Sequence, residues 1–151
     1  FVSVDTFEAI ARNLPPEFGQ VRVIEDAQRD DLFVGDYRRD DTGSCTRVEP
    51  IRIVSVDEFI AGICESDVVT GPGLKKIECL TRPAKWLNDP EIVKPSATSI
   101  ALLGERRLAK VVSDEDADTD FWKASPFYLR ASAAEEKRAI TDALAADQPK
   151  N

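Results

Sequence analysis

Between residues 21 and 54 the hydrophobic residues follow a two-residue period, which is typical of β-strands with one buried face. Three segments alternate in this way, and polar turns over residues 25–31 and 39–43 separate them. Strands that follow one another across short polar turns pair as antiparallel neighbours. The sequence therefore predicts an antiparallel meander in this part of the chain.

Two similar segments, residues 2–11 and 54–63, show the pattern of a helix start. Asp5 stands three residues before Glu8, and Ser55 stands three residues before Glu58. In this spacing the first side chain accepts a hydrogen bond from the backbone at the start of a helix. Apolar residues then recur at helical spacing in both segments. We predict one helix after Asp5 and another after Ser55.

Further strands are predicted at Leu74–Leu80, Ser99–Leu103 and Leu108–Val112, the last two as a hairpin across Gly104–Arg107. Ser132 with Glu135 predicts a C-terminal helix. These elements indicate the α+β class, with a mostly antiparallel sheet of about five strands flanked by two or three helices. We expect a single domain over residues 1–147 and a frayed end at 148–151.

The chain has no histidine, which removes more chemistry than any other feature of its composition. Ser-His-Asp and Cys-His catalysis need an imidazole base, and so do the commonest zinc sites. The glycine-rich segment 70–76 lacks the spacing and the hydroxyl of a phosphate-binding loop, and the acidic segment 114–120 lacks the glycine of an EF-hand. We therefore predict no cofactor and favour a non-catalytic role over an enzyme.

Negative charge is concentrated near the start of the chain. The net charge is −8, and residues 1–44 hold ten acidic and five basic side chains. Such a surface repels nucleic acid and attracts basic proteins. We predict a small acidic binding protein, for example an inhibitor or immunity-type protein that docks onto a basic protein partner. The predicted contact residues are Asp30, Asp31, Asp36, Asp40, Asp41, Trp86, Trp122 and Tyr128.

Two alternatives remain open from the sequence. Asp36 and Glu49 flank one predicted hairpin, so a carboxylate- or metal-dependent small hydrolase could use them as acid and base. An extracytoplasmic structural domain is the other alternative, and it requires a disulfide such as Cys64–Cys79. Free thiols at Cys45, Cys64 and Cys79 fit the same spacing.

The sequence predicts no membrane insertion, because the longest stretch without charge is the ten residues 95–104. Oligomeric state and localisation stay open: a trimmed chain and a chain without its signal peptide both start without methionine. The aromatic residues Phe121, Trp122, Phe127 and Tyr128 fit either a partner surface or the core beneath the predicted C-terminal helix.

Overall fold

The computed structural model of the protein describes residues 2–80, 84–113 and 138. The helices are α1 (Thr6–Arg12), α2 (Val56–Ala61) and α3 (Ala97–Ser113), and a short 3-10 helix covers Pro72–Ile77. The strands are β1 (Gln20–Asp26), β2 (Asp31–Arg39), β3 (Cys45–Arg47), β4 (Arg52–Ser55), β5 (Val68–Thr70) and β6 (Lys85–Leu87). Within these residues, no helix has both the length and the apolar character needed to cross a membrane.

The strands form one mixed sheet in the order β3-β2-β1-β5-β6, and β4 also pairs with β2. The pairs of β2 with β1, β3 and β4 are antiparallel, so the predicted meander is confirmed. By contrast, β5 runs parallel to β1, and β6 runs parallel to β5. Parallel neighbours need a long crossover, which α2 supplies before β5 and the 3-10 helix supplies before β6. The fold is a single α+β domain, but the sheet is mixed and not mostly antiparallel as predicted.

Both predicted helix starts are confirmed. The Asp5 carboxylate accepts a hydrogen bond from the Glu8 backbone N–H at 3.0 Å. The Ser55 hydroxyl accepts one from the Glu58 N–H at 3.2 Å. At the other end of α1, the Arg39 guanidinium donates to the carbonyls of residues 11, 12 and 14, at the helix end and just beyond it.

Alternate residues of β1 and β2 point to opposite faces of the sheet, and each face has its own core. Val21, Val23 and Tyr37 pack against α1 on one face. Ile24, Leu32 and Val34 pack on the other face, against apolar side chains of α2, the 3-10 helix and the loops beside them. The sheet is therefore buried from both sides, whereas the alternation in the sequence predicted one buried face.

Three predicted strands are wrong. The 3-10 helix replaces the strand predicted at Leu74–Leu80, and α3 replaces the hairpin predicted at Ser99–Leu103 and Leu108–Val112. A short apolar run without a clear period does not distinguish a strand from a helix. In α3, Leu103 is 3% exposed whereas Ile100, Leu102 and Leu108 are 43%, 38% and 48% exposed. Of the predicted C-terminal helix the structure describes residue 138, which is helical, and the frayed end lies outside the described residues.

The turn between β1 and β2 holds three consecutive residues in the left-handed region, Gln28, Arg29 and Asp30, with φ of 64°, 48° and 62°. This conformation costs an L-residue about 1 kcal/mol and costs glycine almost nothing. Gln28 is exposed, and its backbone N–H donates to Asp26 at 2.7 Å, a bond that glycine keeps. We expect Gln28→Gly to raise the free energy of unfolding by about 0.5–1 kcal/mol in urea denaturation.

The matched control is Gly43→Ala, in another hairpin turn. Gly43 has a φ of 74°, and a Cβ there would meet nothing within 4 Å. We expect a loss of about 1 kcal/mol from the backbone alone. A neutral or destabilising result for Gln28→Gly would contradict the prediction.

Candidate ligand-binding cleft

A cleft of about 1170 Å³ opens on the face of the sheet that carries α1. It lies between α1, the second half of α3, the start of the chain, and strand β3. Its apolar lining comes from Phe7 of α1, Phe33 and Tyr37 of β2, Ile51, and Leu103 of α3. The cleft is larger than most small-molecule sites, which measure about 300–1,000 Å³.

Gly35 makes room for two aromatic rings in the wall of this cleft. A Cβ at this position would lie 2.9 Å from Cδ2 of Phe7 and 3.0 Å from Cε2 of Tyr37. Both distances are shorter than a normal van der Waals contact. The missing side chain therefore allows Phe7 and Tyr37 to pack closely over β2.

Tyr37 and Asp5 form a polar pair in the cleft. The buried phenol of Tyr37 donates a hydrogen bond to Oδ1 of Asp5 at 3.2 Å. Burial raises the pKa of Tyr37 far above its ordinary value, and the neighbouring Asp5 carboxylate raises it further. Tyr37 thus stays protonated as a donor. The other oxygen of Asp5 lies 3.6 Å from Nη1 of Arg47.

Four basic side chains line the cleft: Arg47 of β3, and Arg106, Arg107 and Lys110 of α3. The acidic side chains in the lining are Asp5 and Glu8, so the formal charge of the lining is 4 − 2 = +2. Arg107 is engaged by the Glu8 carboxylate and the Ser3 carbonyl. The cleft is therefore a positively charged region in a chain whose net charge is −8.

The nucleophiles in the lining do not form a recognisable catalytic pair. Cys45 is 5% exposed, and burial raises the pKa of its thiol in spite of the nearby Arg39 guanidinium. A thiol in this state is a weak nucleophile. Ser44 and Thr46 lie beside it, but the chain has no histidine to activate a hydroxyl. The described lining thus contains no nucleophile activated by a histidine.

The carboxylate pair proposed for a hydrolase is held by arginines on the opposite face of the sheet. Asp36 accepts hydrogen bonds of 2.7 Å from both Arg22 and Arg52, and Glu49 lies 3.7 Å from Arg52. Partial burial opposes ionisation of Asp36, but these two hydrogen bonds outweigh it and hold the pKa below its ordinary value. Such a group is a poor proton donor near neutral pH. Among the residues that the structure describes, no group of acidic and cysteine side chains could hold a metal.

The acidic residues predicted to contact a partner do not form one patch. Asp30 and Asp31 lie at the start of β2, whereas Asp40 and Asp41 follow its end, about 27 Å away for a nine-residue strand. The Asp40 carboxylate stabilises the turn after β2, since it accepts hydrogen bonds from the backbone N–H and hydroxyl of Thr42 and from the Ser44 N–H.

Of the predicted aromatic contacts, Trp86 is half-buried and packs against the core beneath α2. Trp122 and Tyr128 lie outside the described residues. Cys45, Cys64 and Cys79 are all free thiols, and Cys64 and Cys79 are exposed.

Sequence reasoning missed the basic cleft because it predicted strands where α3 lies. Arg106 and Lys110 stand four residues apart, which places them on one face of a helix. On the predicted hairpin the same residues would fall in the turn and in the following strand. A correct helix prediction would have revealed the spacing, but the approach of Arg47 depends on tertiary packing.

The fold is shared with proteins of known structure. No family model matches the chain, and no curated protein matches it. One similar structure is described as "an uncharacterized protein with similarity to peptidase YEAZ from Pseudomonas aeruginosa"; it has a TM-score of 0.62 and 18% identity and covers 84% of this chain and 57% of that one. Another is YeaZ from Pseudomonas aeruginosa, with a TM-score of 0.54, 17% identity, and coverage of 71% of this chain and 51% of that one.

The chain thus spans about half the length of each of these two structures. The prediction of an acidic inhibitor or immunity-type protein is wrong, because the neighbours of this structure are YeaZ-like proteins. At identities of 17–18% the likeness establishes a common architecture. What the comparisons identify is a chain with the fold of YeaZ-like proteins.

Proposed function

We propose that this chain acts as a YeaZ-like domain and that the cleft between α1, α3 and β3 is its ligand-binding site. The observation that carries the proposal is the cleft itself: an apolar floor, a hydrogen-bonded Tyr37–Asp5 pair and four basic side chains, on a fold shared with YeaZ-like proteins. Concave sites with apolar walls and a few convergent polar groups are the usual form of ligand sites.

The description of one neighbour names a peptidase, but we do not propose peptidase activity for this chain. The raised pKa of the Cys45 thiol and the absence of histidine from the chain give the cleft no activated nucleophile of the familiar kinds. We therefore assign ligand binding to the cleft, and we assign no bond cleavage to its described residues.

A chimera tests whether the chain works as a YeaZ-like domain. The part of Pseudomonas aeruginosa YeaZ that superposes on this chain would be replaced by the chain, in a strain depleted of YeaZ. Rescue of the phenotype that depletion causes is the expected result. Failure of a stably folded chimera to rescue would overturn the YeaZ-like assignment.

Blocking the cleft tests the site within that chimera. Ala109 of α3 is exposed and lines the cleft, so Ala109→Trp places a large ring in the opening. We expect the chimera to lose at least tenfold of its activity in the rescue assay, equivalent to about 1.4 kcal/mol of ligand-binding free energy. Western blotting and thermal melting of the purified chimera confirm that it is present and folded.

Ala101→Trp is the matched control. Ala101 is also exposed on α3 but does not line the cleft, so its substitution should leave activity unchanged. Equal activity of the two tryptophan variants would remove the cleft from the proposed function.

A further inference from the structure

We infer that the ligand of this cleft is an organic oxyanion, with a carboxylate or phosphate group attached to an apolar body. The inference rests on the proposed function, because it names the chemistry of the ligand for the same cleft. Two parts of the structure carry it: the basic side chains on one side and the apolar floor on the other.

Arg47 has the freedom to bind an incoming anion. Its side chain is 44% exposed, and its nitrogen is 3.6 Å from Asp5, beyond the usual length of a charge-assisted hydrogen bond of about 2.7–2.9 Å. A ligand carboxylate or phosphate could accept two parallel hydrogen bonds from this guanidinium. A bound oxyanion would therefore form shorter and stronger hydrogen bonds with Arg47 than Asp5 does.

Arg106 supplies a second cation from another element. It is exposed on α3 and lines the cleft, with Lys110 one turn further along the same face. The pKa of the Asp40 carboxyl is lowered mainly by its hydrogen bond from the Thr42 hydroxyl, and the Arg106 guanidinium nearby lowers it slightly further. Cations from β3 and α3 thus line the same cleft.

The acidic residues of the lining are already engaged. Oδ1 of Asp5 accepts from the Glu8 N–H and from the Tyr37 hydroxyl. The Glu8 carboxylate binds Arg107. Through its other oxygen Asp5 also faces Arg47, at 3.6 Å, so the formal excess of positive charge in the lining falls on the exposed half of α3 that carries Arg106.

The floor of the cleft indicates the chemistry of the remaining part of the ligand. Phe7, Phe33, Ile51 and Leu103 are apolar, and burying a ligand group on them yields about 25 cal/mol per Å² of apolar surface. An inorganic ion would leave this surface wet. A ligand with an aromatic or aliphatic body and a terminal anionic group uses both parts of the cleft.

Three probes test the inference on the full chain. N-acetylphenylalanine carries a carboxylate, phenyl phosphate carries a phosphate, and N-acetylphenylalanine amide is the neutral counterpart of the first. Titrations followed by NMR at low salt should show at least one anionic probe binding tenfold more tightly than the neutral amide. At about 0.15 M salt, where the screening length is about 8 Å, the preference should shrink.

Arg106→Gln identifies the cation responsible. We expect a five- to tenfold loss of affinity for the preferred anionic probe and an unchanged affinity for the neutral amide, because the substitution removes charge and keeps a polar side chain. Arg38→Gln is the matched control, since Arg38 is exposed and lies on the strand β2 outside the cleft. It should have no effect on any probe.

The outcomes separate this inference from the proposed function. Preference for the carboxylate or for the phosphate supports the oxyanion and identifies its type. Equal binding of the neutral amide, no binding of any probe, or an equal effect of Arg106→Gln and Arg38→Gln would overturn it. The Ala109→Trp chimera tests the cleft independently of ligand charge. The proposed function is therefore tested by that experiment and not by the probe titrations.

Discussion

Gly71→Ala should lower the free energy of unfolding by about 4 kcal/mol. Gly71 has φ 113° and ψ 166°, a region of backbone space that is essentially closed to residues with a Cβ and costs about 1–3 kcal/mol. The added Cβ would also lie 2.3 Å from the carbonyl oxygen of Ile24. Because that oxygen belongs to the backbone of β1, relief requires a shift of the sheet, for about 1–3 kcal/mol more.

Denaturation in urea and a thermal melt would measure this loss. For a chain of this size we expect the melting temperature to fall by about 10 °C. Gly19→Ala is the control, since a Cβ at Gly19 would meet nothing within 4 Å and its φ is not in the left-handed region. A Gly71→Ala protein within about 1 kcal/mol of the Gly19→Ala protein would show that the loop is not packed against β1 in this way.

The same contact explains why the segment 70–76 contains glycines. Gly73 also passes close to β1, with a Cβ position 2.9 Å from Cα of Glu25. Both glycines are thus required by the packing of the loop after β5 against β1. Their presence needs no bound phosphate, in agreement with the missing spacing of a phosphate-binding loop.

Asp36→Asn should lower the free energy of unfolding by about 2 kcal/mol near neutral pH. The substitution removes the charge that Arg22 and Arg52 share, at 2.7 Å each, on a partly buried face of the sheet. Breaking a fully buried pair costs about 3–5 kcal/mol. We expect a smaller loss of stability here, because each arginine retains another carboxylate nearby. Arg22 lies 3.5 Å from Asp67, and Arg52 lies 3.7 Å from Glu49.

The loss should depend on pH in a defined direction. The pKa of Asp36 is lower in the folded protein than its ordinary value of 3.8. The ionised form is therefore favoured by folding, so the stabilisation is complete above pH 3.8 and disappears as the pH falls through the folded value. The difference between wild type and Asp36→Asn should shrink as the pH falls below about 4.

Urea denaturation at a series of pH values would check this dependence. Asp41→Asn is the control, since Asp41 is exposed in the turn after β2. It should change stability by less than about 0.5 kcal/mol. A constant difference between wild type and Asp36→Asn down to the lowest pH would contradict the assignment of the effect to the carboxylate charge.

Local signals in the sequence identified the elements that form from near neighbours. The Asp5–Glu8 and Ser55–Glu58 spacings correctly located two helix starts, and the alternation around Val21 and Val34 correctly located the meander. The cleft was not predicted, because its cations come from β3 and α3, about 60 residues apart in the chain.

By itself, then, the sequence determined the α+β class, the helix starts, the central meander and the absence of histidine chemistry. Each depends on residue type or on spacings of two to four residues, over which hydrogen bonding and the direction of side chains are settled locally. Tertiary structure decided the parallel placement of β5 and β6, the helical state of α3, and the placement of Arg47 and Arg106 around one cleft. These features depend on burial between distant segments, and three-residue strands carry too little local pattern to specify their neighbours.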